Sequence, residues 1–162
     1  MINIINGNIL EAKEDIICQQ VNCMGVMGSG LAKQIREKYP FVYSSYRDFC
    51  LNEKNNLKNL LGEIQLIKIQ KDKYLINIFG QFEYGTKKQH TDYVALELAL
   101  KRIYNNLISK GTIIYDKSIA FPWKLGCGLA GGDCSVVYPM IDKIFNEYDI
   151  TIYKLKGEHK NV

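Results

Sequence analysis

Residues 21–32 read Val-Asn-Cys-Met-Gly-Val-Met-Gly-Ser-Gly-Leu-Ala, and residues 121–133 read Phe-Pro-Trp-Lys-Leu-Gly-Cys-Gly-Leu-Ala-Gly-Gly-Asp. Each run follows a short apolar stretch and precedes an amphipathic one. Glycine permits positive φ and lets a ligand approach the backbone closely. The start of the following helix adds free N–H groups and the positive end of a dipole, a place for an anion. One such cluster is weak evidence and fits a plain turn. Two of them, each between a strand and a helix, suggest a cleft that cradles two linked phosphates. Neither run is a Walker A loop, since no Gly-Lys-Ser/Thr follows, and neither gives G-x-G-x-x-G with an acidic residue on the next strand. Val26 and Met27 place apolar side chains at a loop tip, where they can cover a flat ligand.

Outward from these loops, the hydrophobic pattern alternates between strand and helix. Residues 2–5 form a β-branched run that ends in Asn6-Gly7, and residues 16–21 form a second apolar strand. Residues 28–39 carry Leu31, Ala32 and Ile35 opposite Lys33, Arg36, Glu37 and Lys38, the spacing of an amphipathic helix stopped before Pro40. A helix over 41–51 and a polar loop over 52–59 follow. Residues 63–69 and 73–79 alternate apolar and polar side chains around the turn at 70–72, which predicts a hairpin. After a polar loop at 80–90, residues 91–109 are the strongest helix, with Val94, Leu96, Leu98, Ala99, Ile103 and Leu107 on one face and Thr91 as N-cap. A strand at 117–122, the second glycine loop at 125–132, a helix at 135–148 and a strand at 150–155 complete the chain. Such alternation predicts an α/β fold, a three-layer α/β/α sandwich around a central mixed sheet, with the hairpin supplying the antiparallel part. Ligands in such sheets bind outside the carboxyl ends of the strands. Both glycine loops follow strands and can stand on one edge. No repeat or linker interrupts the chain, so a single domain is expected over 1–155, with a polar tail at 156–162.

The 162 residues suit one domain, and 47% hydrophobic with 23% charged residues excludes a disordered or collagen-like chain. No apolar run approaches the ~20 residues of a membrane helix. The first ten residues lack a basic segment and a cleavage site, so a cytoplasmic location is expected. A formal charge of +4 favours anionic ligands without the clustered basic stripe of a dedicated nucleic-acid binder. Five cysteines, Cys18, Cys23, Cys50, Cys127 and Cys134, show no C-x-x-C spacing. They read as free, buried or half-buried thiols. Cys23 and Cys127 stand out because they lie in the glycine loops.

Asn6-Gly7-Asn8-Ile9, then Val-Asn-Cys-x-Gly-x-Met-Gly-x-Gly-Leu-Ala, then Phe-Pro-x-x-x-Gly-Cys-Gly-Leu-Ala-Gly-Gly-Asp, in that order, resemble a macro domain over residues 1–155. Within that family the chain resembles the branch of terminal ADP-ribose protein glycohydrolase, the DNA de-ADP-ribosylating antitoxins and yeast ADP-ribose 1″-phosphate phosphatase. It is less similar to the branch that hydrolyses O-acetyl-ADP-ribose through Asn-Ala-Ala-Asn, because Cys23 and Met24 follow Asn22. The resemblance implies ADP-ribose as ligand, ADP-ribosylated protein or nucleic acid as partner, and no metal, cofactor or membrane. It puts Asn8 and Ile9 beside the adenine. Asn8 stands where the family often has aspartate, and accepts through an amide oxygen without charge assistance. It puts Gly28, Ser29, Gly30 and Leu31 on one phosphate, and Gly126, Cys127, Gly128, Leu129 and Ala130 on the other. Asn22 reaches the distal ribose. Tyr84 stacks on the adenine or covers the ribose.

For catalysis the resemblance implies a departure. The lysine used by the glycohydrolase and antitoxin members aligns with Gly80 or Gln81, and their aspartate aligns with Ala130. Gln81 and Asn22 are therefore the candidate catalytic side chains, together with Asp133, the nearest carboxylate. Asp133 reads equally as the N-cap of the next helix. Lys87 and Lys88 read as exposed loop charges, His90 as a solvated residue, and Trp123 as buried against helices. The expected activity is hydrolysis of ADP-ribose from a protein carboxylate or a nucleobase by a monomeric protein. The alternatives are a phosphatase acting on ADP-ribose 1″-phosphate and a reader of ADP-ribose without turnover.

Overall fold

The computed structural model describes residues 1–156. Six strands, β1 (Ile2–Asn6), β2 (Ile16–Val21), β3 (Ile64–Gln70), β4 (Lys73–Phe79), β5 (Ile119–Pro122) and β6 (Ile150–Lys154), share one sheet with four helices. The helices are α1 (Gly30–Lys38), α2 (Pro40–Asn52), α3 (Tyr93–Ile108) and α4 (Cys134–Ile144). The strand order is β1-β6-β5-β2-β4-β3. All neighbours are parallel except β3 and β4, which form the expected hairpin, with Ile64 opposite Ile78 and Leu66 opposite Ile76. This is the mixed sheet of a three-layer sandwich.

Period-two alternation sends the side chains of β2 to opposite faces. Ile17 and Val21 pack with Ile35 of α1 and with Val42, Tyr46 and Cys50 of α2. Ile16 and Cys18 pack with Leu96, Ala99, Leu100 and Ile103 of α3 and with Val137 and Ile141 of α4. Because both faces are covered, the strand reads as a nearly continuous apolar run. Two glutamines interrupt it at its carboxyl end, and both become part of the site.

Boundaries shift from the sequence reading by a few residues, with local causes. Helix α1 begins at Gly30, so Gly28 and Ser29 stay in the loop. Helix α2 begins at Pro40, whose missing N–H suits the first turn. Residues 57–60 form a 3₁₀ turn inside the expected loop, and residues 9–11 form another. Helix α4 starts one residue early and ends at Ile144, four residues before the expected end. Asp92, not Thr91, caps α3, its side chain accepting from Ala95 N at 3.0 Å. The Thr91 hydroxyl is instead committed to Gly126 O.

The cysteine expectation needs one correction. Cys18, Cys23 and Cys50 are free and buried, but Cys127 and Cys134 form a disulfide. The loop between them folds back on itself, with Gly131 N on Gly128 O and Gly132 N on Gly126 O, both at 3.0 Å. That turn brings the two Cα atoms to 5.4 Å, although seven positions separate them in sequence. The expected tail lies outside the described residues beyond Lys156.

Candidate ligand-binding cleft

A cavity of about 560 Å³ opens at the carboxyl ends of the parallel strands, a size that suits a small-molecule site. Its walls are the loops after β1, β2, β4 and β5 together with the first turn of α1. Asn8, Ile9, Asn22, Gly28, Ser29, Gly30, Leu31, Gln81, Tyr84, Gly126, Gly128, Leu129 and Ala130 all line it. Two expected site residues do not. Cys127 is bonded to Cys134, and Asp133 caps α4, accepting from Ser135 N at 2.8 Å. Hydrogen bonding from the Ser135 side chain, and then from its backbone N–H, holds the Asp133 carboxyl below its usual range. His90 is also absent from the lining. Lys88 is exposed and pairs with Glu83 at 3.5 Å. Trp123 is half-buried against Tyr138 of α4, with ring centres 5.2 Å apart, and also forms part of the wall.

The first glycine loop is held by Asn22. Its Oδ1 accepts from Met24 N at 3.0 Å, Val26 N at 3.2 Å and the Tyr46 hydroxyl at 2.8 Å. Its Nδ2 donates to Val26 O at 2.7 Å. The acceptor is fully used, and one Nδ2 proton remains for the cavity. Asn22 therefore serves a ligand only as a donor. Burial pushes the Tyr46 hydroxyl well above its ordinary range, so it stays a donor too. At the end of this loop Gly30 has φ 56°, and Ser29 makes no side-chain cap. The first-turn N–H groups of α1 are left for an anion.

The second loop and the cavity floor are joined by amides. Gln20 Nε2 donates to Gln81 Oε1 at 2.9 Å and to Thr91 Oγ1 at 3.0 Å. Gln81 Nε2 donates to Glu83 O at 2.8 Å. Gln20 Oε1 is buried without a hydrogen-bond partner among the described residues. It lies against the Cα atoms of Gly80 and Gly126, where added Cβ atoms would stand at 2.4 and 2.7 Å. On the opposite sheet face, Gln19 donates to Asn77, which donates to Gln65, which reaches Ser45 O. The loop joining β4 to α3 is docked by His90 N on Ala130 O at 2.7 Å.

Sequence reasoning missed Gln20, Thr86, Lys124 and Tyr153 as lining residues. For Gln20 a signal existed: a glutamine at the end of a doubly buried strand needs a polar partner. Lys124 carries the single formal charge among the described lining residues, and no carboxylate, imidazole or thiol joins it there. The remaining thiols are poor nucleophiles, since burial pushes Cys23 up to about 12 and Cys50 up to about 11. Among the described residues no group of three or more His, Cys, Asp or Glu side chains is assembled to hold a metal.

The family model for the Macro domain matches residues 18–141, most of the chain. The chain belongs to the macro domain family. This macro domain is 27% identical, over 93% of its length, to a DNA ADP-ribosyl transferase–DNA ADP-ribosyl glycohydrolase fusion protein of Thermosipho africanus, and spans 40% of that protein. It is 26% identical to an ADP-ribose 1″-phosphate phosphatase of Debaryomyces hansenii, covering 85% of this chain and 87% of that one. Among solved structures, Thermosipho africanus DarTG in complex with ADP-ribose superposes with a TM-score of 0.80 at 24% identity. The overlap takes in 99% of this macro domain and 43% of DarTG. Among the described residues no helix is long and apolar enough to cross a membrane.

Proposed function

We propose that the cleft binds ADP-ribose and releases it from a modified acceptor. The paired glycine loops carry this reading: they face each other across one cavity, and the uncapped start of α1 lies between them. The diphosphate fits between the loops. The distal ribose falls at the Asn22 and Gln81 end, and the base at the Asn8 end. Glycohydrolase and phosphatase relatives support the assignment. So does family membership.

In this reaction water attacks C1″, the bond from C1″ to the acceptor breaks with its electron pair on the acceptor, and the proton lost by the water goes to solvent. At the distal end the side chains are amides and hydroxyls, namely Asn22, Gln81, Tyr84 and Thr86. They orient a ribose and a water but include no carboxylic acid or imidazole to protonate a leaving group. Acceptors that leave as stable anions therefore suit the cleft best, a protein carboxylate first; on the 1″-phosphate the water would attack phosphorus instead. A nucleobase needs a proton as it leaves. Asp133 joins the reaction only if the second loop moves. The expected cytoplasmic location and monomeric state belong to the same reading, and light scattering reads the latter.

The test is release of ADP-ribose from an ADP-ribosylated glutamate peptide, from ADP-ribosylated DNA and of phosphate from the 1″-phosphate, each at equal concentration. Turnover of the peptide ahead of the DNA is expected. The reverse order would show that an acid reaches the cleft. The reader function draws support from the same wall, whose described residues include no carboxylic acid or imidazole. It is established if calorimetry finds ADP-ribose binding while all three substrates stay intact.

A further inference from the structure

The base-binding end of the cavity has an unusual polar inventory. This inference rests on the ADP-ribose reading above, which places the base at the Asn8 end of a cavity that Ile9, Pro122, Tyr153 and Leu155 also line. Among these, Asn8 offers the one side chain that can read the hydrogen-bonding edge of a base. Asn8 caps the 3₁₀ turn at 9–11, and its Oδ1 accepts from Leu10 N at 3.0 Å. That contact fixes the amide: the flipped orientation would set the NH₂ group against the Leu10 N–H. Nδ2 is then the outward end, and it has no protein partner among the described residues. Oδ1 keeps a second lone pair.

Among the described residues no side-chain carboxylate lines this end. Glu14 Oε2 accepts from the Tyr153 hydroxyl at 2.8 Å, and Asp15 Oδ2 accepts from both the N–H and the hydroxyl of Ser118. Glu11, Glu14 and Asp15 are absent from the cavity wall. Lys124, the single formal charge on that wall, follows Trp123, whose N–H is bonded to Tyr153 O.

These observations bear on which purine fits. Adenine presents an amino donor at position 6 and an acceptor at N1. Hypoxanthine and guanine present a carbonyl acceptor at position 6 and a donor at N1. A carboxylate can accept from the adenine amine but repels a 6-carbonyl. The fixed Asn8 amide presents Nδ2 as an outward donor, which can pair with a 6-carbonyl or with N1 of adenine, and one spare lone pair on Oδ1. Rejection of a 6-carbonyl requires a repulsive acceptor, and no carboxylate among the described lining residues provides one.

We propose that the cleft accepts 6-oxopurine diphosphoribose, with hypoxanthine or guanine as the base, alongside ADP-ribose, and that Asn8 is the specificity-determining residue. The experiment is calorimetry on the whole chain with ADP-ribose and with inosine diphosphate ribose. The two affinities are expected to agree within about tenfold. Asn8→Asp keeps an oxygen for Leu10 N and replaces the donor with a second acceptor. It should weaken inosine diphosphate ribose by about tenfold or more relative to ADP-ribose. Exclusion of inosine diphosphate ribose by more than about tenfold in the unsubstituted protein overturns the proposal alone, whatever the variant does. An unchanged ratio in a folded Asn8→Asp protein overturns it too. Binding of neither nucleotide overturns the ADP-ribose reading and this inference with it.

Discussion

Gly128 and Gly132 lie four positions apart in one loop and differ sharply in what a side chain would meet. A Cβ at Gly132 would stand 2.2 Å from Gly126 O, whereas one at Gly128 would find Lys124 Cβ at 3.7 Å. The first contact is with backbone that carries the loop's own hydrogen bond and cannot step aside. Gly132→Ala should therefore lower the melting temperature and cut ADP-ribose affinity by about tenfold or more, the scale of a displaced positioning group. Gly128→Ala should leave both nearly intact. Equal effects of the two changes would mean that the loop has another shape. Asp133 poses a different question at the same scale. Its carboxyl is held low by the Ser135 hydrogen bonds, so its contribution is present above the unfolded carboxylate range and is lost as pH falls through the folded value. Asp133→Ala should lower the melting temperature at neutral pH, and the gap to the unsubstituted protein should close in acid. ADP-ribose release should be almost unaffected if capping is its whole role. A large loss of rate with an unchanged melting temperature points instead to acid–base work.

Contacts between elements decide how firmly the site is held. Helix α2 lies on the sheet face beneath the first glycine loop, and Tyr46 is its one polar tie to Asn22, donating to both Oδ1 at 2.8 Å and O at 2.6 Å. Tyr46→Phe keeps the ring packed on Phe79 but leaves two buried acceptors short of a donor. The expected cost is about 1–3 kcal/mol in urea denaturation, together with weaker ADP-ribose binding as the Asn22 amide loses its fixed orientation. A stability loss without any change in affinity would show that the other three bonds of Asn22 suffice to aim it. On the far side, the Cys127–Cys134 disulfide ties the second loop to the first residue of α4. Closing a loop this short contributes about 2–3 kcal/mol on the chain-entropy model. Reduction, or paired serine substitution, should lower the unfolding free energy by no more than that and leave the sheet intact. A protein whose unfolding curve is the same with and without reductant does not carry this bond in solution.

At the scale of the whole molecule, the layers were legible because burial follows periodicity. Strand β2, covered on both faces, reads as an apolar run, and α3 shows a wide apolar stripe, so both elements were placed within a residue or two. The hairpin followed from alternation on either side of residues 70–72. What escaped the sequence depends on tertiary contact. Thr91 and Asp92 are both good caps on paper, and only the proximity of Gly126 O draws Thr91 away from the role. Cys127 and Cys134 meet only because the loop turns at Gly131 and Gly132. The absence of carboxylates from the described cleft wall was hidden for the same reason: Asp133 lies three residues from Ala130 in sequence, yet it caps α4 and does not line the cavity. That absence leads to a last prediction. With a net charge of +4 and a single formal charge on the described wall, attraction of a diphosphate has three sources: Lys124, the start of α1 and the diffuse field of the molecule. Raising salt from about 0.1 M to about 1 M shortens the screening length from about 10 Å to about 3 Å. The diffuse field vanishes under that change, and the helix dipole acts only at close range. ADP-ribose affinity should fall several-fold over this range. Lys124→Ala should bind more weakly at low salt and lose most of the remaining salt dependence. Parallel salt curves for the two proteins would assign the attraction to the α1 terminus and the overall charge, leaving Lys124 as wall rather than anchor.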